Sequence, residues 1–371
     1  MKIKNINSIP SKKRVLIAPL DWGLGHATRC IPIIYELINL DVEVIIAAEG
    51  KIKILLEKEF PKLEIVYLRG YHVKYSRQKW LFPIKLLFQF PKIISSIYHE
   101  HLWLKKVIKL YNIDAVISDN RLGLCHTTIP CVYITHQLTI KTTNRFTEWL
   151  AKKIHYFFIN KFLFCWVPDN ESSNNLAGAL SHPYQLPLIP IIYIGPLSRF
   201  VKFSVEKKYD CIALVSGPEP QRTIFENILL RELNLFEGKS LLIRGLPEKD
   251  EKVTIVNKRV EIINHLTATA LNKAMLQADL IVCRSGYTSV IDLVQLQKKA
   301  VLVATPGQTE QEYLAAYLQQ QHFFPSISQN RFTLNKAFDM INDFTFVNID
   351  INTEVYKTVL HKFVSFIKQD Q

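Results

Sequence analysis

Short apolar runs recur along this chain, each leading into a polar turn and then a stretch with helical spacing. Val15 to Leu20, Val42 to Ala47 and Leu63 to Leu68 come first, separated by helical patterns over Ala27 to Leu40 and Ile52 to Glu59. Runs without polar alternation suit strands buried on both faces of a parallel sheet. Their β-α-β-α-β order predicts helices on both sides of that sheet. Ala115 to Ser118 and Val132 to Thr135 extend the series, with a helical pattern over Ile93 to Lys109 ahead of them. Pro183, Pro187 and Pro190 then lead to a short strand at Ile191 to Ile194 and a linker, Gly195 to Arg199, which places a domain boundary near residue 200. Beyond it the pattern restarts: strands at Cys211 to Val215, Ser240 to Ile243, Val260 to Ile263, Leu280 to Cys283 and Ala300 to Ala304 alternate with helices, including Thr223 to Glu232 and Thr267 to Gln277. The fold class is α/β, two Rossmann-like doubly wound parallel-sheet domains facing a cleft. Residues 1–199 form one domain and 200–350 the other, and a helix within 351–371 is expected to pack back on the first.

Charge changes this picture by separating the halves. Residues 1–200 hold 26 Lys and Arg against 14 Asp and Glu, whereas residues 201–371 hold 20 against 19. Positive charge confined to one half, with no recognition-helix or RNP-type pattern, argues against a nucleic-acid binder and fits an anionic membrane or acidic acceptor. Lysines interleave with aromatic residues over 71–109 and again over 144–166, as on a surface lying at a headgroup interface; core-facing helices with basic outer faces are the alternative. Pro83, Lys85, Pro91 and Lys92 break the most apolar window, so no spanning helix is expected. The six cysteines form no CxxC pair and read as buried free thiols of a reducing compartment.

Candidate chemistry sits at the strand ends. Gly23-Leu24-Gly25-His26 opens the first helix but lacks the third glycine of a dinucleotide fingerprint. Asp119 and His136, at the ends of two further strands, are expected on the same edge as His26. In the second half, Ser216-Gly217, with Arg222 behind it, and Arg284-Ser285-Gly286 offer backbone N–H groups and cations to a phosphate. Arg244 ends another strand on that side. Asp292, about two turns into the helix after Gly286, suits sugar hydroxyls, and the turn from Pro306 to Glu312 presents Gln308, Gln311 and Glu312 at the same sheet edge.

Taken together, Gly23-Leu-Gly-His26, Ser216-Gly217, Cys283-Arg-Ser-Gly286 with Asp292, and Pro306-Gly-Gln-Thr-Glu-Gln-Glu-Tyr-Leu-Ala315 resemble the GT-B glycosyltransferases. The resemblance is to family 28, which holds the lipid-linked peptidoglycan N-acetylglucosaminyltransferase and the monogalactosyldiacylglycerol synthases. It implies that Asp292 binds the ribose of a nucleotide sugar, that Gln311 and Glu312 read the donor sugar, and that the loop holding His265 and Leu266 meets the base. It also implies that His26 is the base or an acceptor-site residue.

The expected activity is inverting, metal-independent transfer from a UDP-sugar (UDP-GlcNAc or a UDP-hexose) to an acceptor hydroxyl, of a lipid or cell-envelope glycan. His26 or Asp119 would take the proton, with Gly23, Gly25 and His136 on the acceptor side. No cofactor is expected, since the UDP-sugar is a substrate. A UDP-sugar 2-epimerase of the same fold, and a non-catalytic lipid- or glycan-binding protein, are the alternatives. The expected location is cytoplasmic, peripheral on the inner face of the membrane.

Overall fold

The computed structural model describes residues 12–71, 82–142, 144–249, 254–349 and 351–369. In the first lobe, β1 (Arg14–Pro19), β2 (Glu43–Ala48), β3 (Glu64–Tyr67), β4 (Ala115–Asp119), β5 (Cys131–Ile134), β6 (Phe164–Val167) and β7 (Ile191–Tyr193) form one parallel sheet in the order β3-β2-β1-β4-β5-β6-β7. Its helices are α1 (Leu24–Asn39), α2 (Gly50–Glu59), α3 (Phe82–Tyr111) and α4 (Arg145–Ile159). The second lobe repeats the plan with β8 (Tyr209–Leu214), β9 (Ser240–Ile243), β10 (Thr254–Asn257), β11 (Val260–Ile263), β12 (Ala278–Cys283) and β13 (Ala300–Leu302), ordered β10-β11-β9-β8-β12-β13. Helices α5 (Gln221–Leu235), α6 (Ala268–Leu276), α7 (Tyr287–Leu296), α8 (Thr309–Gln320) and α9 (Leu334–Asp343) accompany it.

In each sheet the chain reverses its direction of travel once, between β1 and β4 in the first lobe and between β8 and β12 in the second. Open α/β sheets bind ligands at that reversal, where the turns leaving two neighbouring strands part to opposite faces. The topology therefore brings the turn after β1 beside the end of β4, with Pro19 paired to Asp119. It likewise brings the turn after β8 beside the turn after β12, with Leu214 paired to Cys283.

Each sheet is buried on both faces, which explains the unbroken apolar runs. Val15 and Ile17 of β1 point to the layer with α1 and α2, and Leu16 and Ala18 to the layer with α3. The last helix, α10 (Val355–Gln369), crosses back to the first lobe and buries Tyr356, Leu360, Phe363, Val364 and Ile367 in its core. Phe363 meets Trp166 edge-on at 5.3 Å.

Two features depart from the expected elements. α3 runs through Pro91 and starts at Phe82, well before the expected Ile93. β10 adds an antiparallel edge strand to β11, joined by a turn without the glycine that marks most tight hairpins. Of the basic-aromatic stretch 71–109, residues 72–81 lie outside the described residues. All six cysteines are buried and free. Among the described residues no helix is long and apolar enough to cross a membrane.

Phe363 is 4% exposed, so Phe363→Ala should cost about 3–5 kcal/mol of stability. Denaturant unfolding reads this directly, and an unchanged midpoint would show that α10 does not seal the first lobe.

Candidate active site

The first-lobe edge is built around Asp119. This carboxylate is fully buried at the end of β4. The Nε of Arg29 donates to its Oδ2 at 2.5 Å, and the NH2 group of Arg29 donates to its Oδ1. Nδ1 of His26 lies 2.9 Å from the same Oδ1, and the Cys30 thiol donates to Oδ2 at 3.6 Å. Burial alone would raise Asp119, but the Arg29 guanidinium and His26 outweigh it and hold the carboxyl far below the usual range. His26, Arg29 and Cys30 all come from the first two turns of α1, where residues three apart share a face. Gly25 is required there, because a Cβ would collide with the Thr288 hydroxyl of α7 across the cleft.

The first turns of α1 and α7 therefore face each other. Neither carries an acidic residue, so both offer backbone N–H groups to an anion. His136, at the end of β5, bridges the lobes. Its ring stacks on Tyr287 at 4.3 Å, its Nε2 lies 2.8 Å from Glu310 Oε1, and NH1 of Arg29 donates to its Nδ1 at 2.8 Å. Burial lowers His136, opposed by the Glu310 bond. Burial works the other way on Glu310, and His136 more than offsets it, leaving that carboxyl below its ordinary value. Further ties between the lobes are the Tyr287 hydroxyl on the Pro168 carbonyl (2.6 Å), the Thr309 hydroxyl on the Lys141 carbonyl (2.7 Å) and the Ala179 N–H on the Tyr313 hydroxyl (2.7 Å).

On the second-lobe edge, Gly217 is exposed, with φ of 105°. The nearest atom to a Cβ there would be the Thr305 hydroxyl oxygen, 3.9 Å away. That hydroxyl and the Gln308 side-chain oxygen, both on the turn after β13, are buried with no hydrogen-bond partner among the described residues, and Thr305 faces Gly217 on the turn after β8. Gly286 caps α7, and Leu266 packs on the second-lobe core beside the buried His265.

Several expected donor residues are occupied within the protein. Arg284 is fully buried: it donates to the carbonyls of Val303, Ala304 and Gln221 and to Gln329, and lies 4.0 Å over the Phe225 ring. Burial pushes it down to about 9. Arg284 thus fastens β12 to its neighbours and does not reach the cleft, a correction to its expected phosphate role. Arg222 is held by Glu219 and Glu226, and Arg244 by Glu226 (2.7 Å) and Asn264 (2.9 Å), so their charge is already neutralised. The Ser285 hydroxyl donates to the Gln311 carbonyl at 2.8 Å. Gln311 accepts from Thr305 N–H at 2.9 Å and Glu312 from Gly307 N–H at 3.1 Å, so both shape the turn. The residue of that helix facing His136 is Glu310, one position earlier. Asp292 is 8% exposed and accepts from Ser198 of the linker at 2.7 Å.

Among the expected residues, His26, Asp119 and His136 are brought together with the N-terminus of α7. Arg29, Glu310 and Tyr287 belong to the same place and were not anticipated, nor was Thr305, which faces Gly217 on the second-lobe edge. Arg29 had one readable signal, its position three residues after His26 on a helix.

Residues 219–368 match the glycosyltransferase family 28 C-terminal domain. The second lobe is thus similar to the C-terminal domain of family 28 glycosyltransferases. The chain as a whole has the GT-B glycosyltransferase fold. It superposes on the glycotransferase of kitacinnamycin with a TM-score of 0.60 at 15% identity, over 97% of this chain and 96% of that one. Spinosyn rhamnosyltransferase SpnG complexed with thymidine diphosphate gives 0.58 at 13%, over 96% of each chain. MurG of Acinetobacter baumannii gives 0.51 at 15%, over 96% of this chain and 99% of that one. No curated protein matches this chain in sequence.

In this glycosyltransferase Asp292 also titrates unusually. Burial raises its carboxyl to about 6, partly opposed by Arg199 and the Ser198 hydrogen bond. A folded-state value above the unfolded value of about 3.9 means that ionisation costs stability: the penalty is absent below about pH 4 and complete above about pH 6. Asp292→Asn should therefore raise the melting temperature at pH 8 and leave it nearly unchanged at pH 4. A difference between variant and wild type that is the same at both pH values would contradict this.

Proposed function

We propose that this glycosyltransferase moves a sugar from a UDP-sugar to an acceptor hydroxyl with inversion and without a metal. The observation that carries the reading is the His26–Asp119 pair, held at the cleft directly opposite the N-terminus of α7. A donor whose diphosphate rests on the α7 N–H groups and the Gly217, Thr305 and Gln308 turn presents its anomeric carbon to the first lobe. The acceptor O–H gives its proton to Nε2 of His26, and Asp119 stabilises the imidazolium through Nδ1–H. The acceptor oxygen then bonds to the anomeric carbon from the face away from the nucleotide. The bond from that carbon to the diphosphate oxygen breaks, and its electron pair stays on the leaving oxygen, where helix N-terminal N–H groups stabilise it. A nucleoside diphosphate in the similarly folded SpnG supports a donor of this class.

A lipid or cell-envelope acceptor at the inner face of the membrane is supported by α4. Phe146, Trp149, Leu150 and Phe157 are exposed on it, beside Lys152, Lys153 and Lys161, with Lys161 lying 4.4 Å over Phe157. Apolar rings flanked by lysines suit an anionic headgroup layer.

His26→Ala should lower kcat by roughly 10²- to 10⁴-fold with donor affinity retained; near-full turnover would remove His26 as the base. For the surface, Trp149→Ser combined with Lys152→Gln and Lys153→Gln should abolish co-sedimentation with phosphatidylglycerol vesicles at low salt. Pelleting equal to wild type would rule out docking through α4.

A further inference from the structure

The four polar side chains of the first-lobe edge do not contribute equally, because a guanidinium has donors only. NH1 of Arg29 points at Nδ1 of His136 at 2.8 Å, so that nitrogen must present a lone pair. The proton of a neutral His136 ring then sits on Nε2, facing Glu310 Oε1 at 2.8 Å. The same guanidinium grips both oxygens of Asp119 and lies 3.0 Å from Nδ1 of His26 through NH2. Nδ1 of His26 is reached both by Asp119 Oδ1 at 2.9 Å and by Arg29 NH2 at 3.0 Å; because NH2 is also directed at Oδ1, the carboxylate takes the His26 Nδ1–H, and its own charge is compensated by a cation 2% exposed.

We propose that Arg29 is a positioning residue for sugar transfer. It sets the proton on both cleft histidines, keeping His136 neutral as an Nε2–H donor to Glu310 and leaving the Nε2 lone pair of His26 for the acceptor hydroxyl. The inference rests on His26 being the base. Arg29 touches no reacting atom; it acts through Asp119 and the two rings. The charged or titratable groups facing the rings are Asp119 on β4, Arg29 and Cys30 on α1, Glu310 on α8 and Tyr287 on α7.

Two measurements test this. Long-range ¹H–¹⁵N spectra of the wild-type protein labelled at histidine report each ring's tautomer, with His26→Ala and His136→Asn giving the assignments. The expected result is protonated Nε2 and bare Nδ1 in His136, with protonated Nδ1 in His26; a His136 ring protonated at Nδ1 overturns the proposal even if no Arg29 variant folds. In kinetics, Arg29→Met should move the acidic limb of the kcat–pH profile upward by about one unit, since Asp119 then acts on His26 uncompensated. At neutral pH its kcat should fall roughly tenfold while the donor KM changes little. Arg29→Lys should bring the limb back without restoring kcat, because an ammonium lacks the planar fork. A limb that stays in place in Arg29→Met overturns the proposal whatever happens to kcat. An active His26→Ala enzyme would instead sink the base assignment, and the tautomer spectra separate the two failures.

Discussion

Asp119 carries a charge with no access to water, and it persists there because Arg29 takes both of its oxygens while His26 shares one. Leaving such a carboxylate unpaired costs several kcal/mol, so the pairing geometry is enforced as strongly as the core itself. Everything at the first-lobe edge follows. α1 must begin where it does for His26 and Arg29 to reach β4, Gly23 must turn the chain with a positive φ, and Gly25 must give up its side chain to let α7 approach. The polarity of this edge is thus tied to a buried ion pair between α1 and the end of β4, at the point where strand order reverses.

The lobes meet through polar groups as well as through Leu176, Ala177 and Leu180, which pack in the second-lobe core. Tyr287, Glu310, Thr309 and Tyr313 of the second lobe each find a partner on the first, and Ser198 of the linker holds Asp292. Interfaces of this kind between domains permit relative motion, because hydrogen bonds to water replace those that open. α10 works against separation by carrying the end of the chain back into the first-lobe core.

The doubly wound pattern was legible because buried parallel strands leave unbroken apolar runs, and the edge residues His26, Asp119 and His136 followed from where those runs stop. What was not legible has specific causes. Arg284, Ser285 and Gln311 occupy positions next to a ligand turn in sequence, yet their side chains point into the protein, and direction at a turn depends on tertiary packing. Glu310 rather than Glu312 faces the cleft because the phase of α8 is set by how it docks on the sheet. Arg222 and Arg244 looked like free cations, but Glu226, one turn beyond Arg222, pairs with both and Glu219 supplies the second negative charge. β10 escaped notice because its turn lacks a glycine signal, and α3 tolerates the proline that was expected to interrupt it.

On the proposed function, a nucleoside diphosphate binds where the N-terminus of α7 meets the turns after β8 and β13, opposite His26. Hydrogen–deuterium exchange with and without UDP tests it most directly. Exchange should slow at the amides of 216–217, 287–289, 305 and 307–309, with little change on α9 or the outer face of α4. UDP binding detected by calorimetry, but with protection confined to segments away from these three turns, would contradict it.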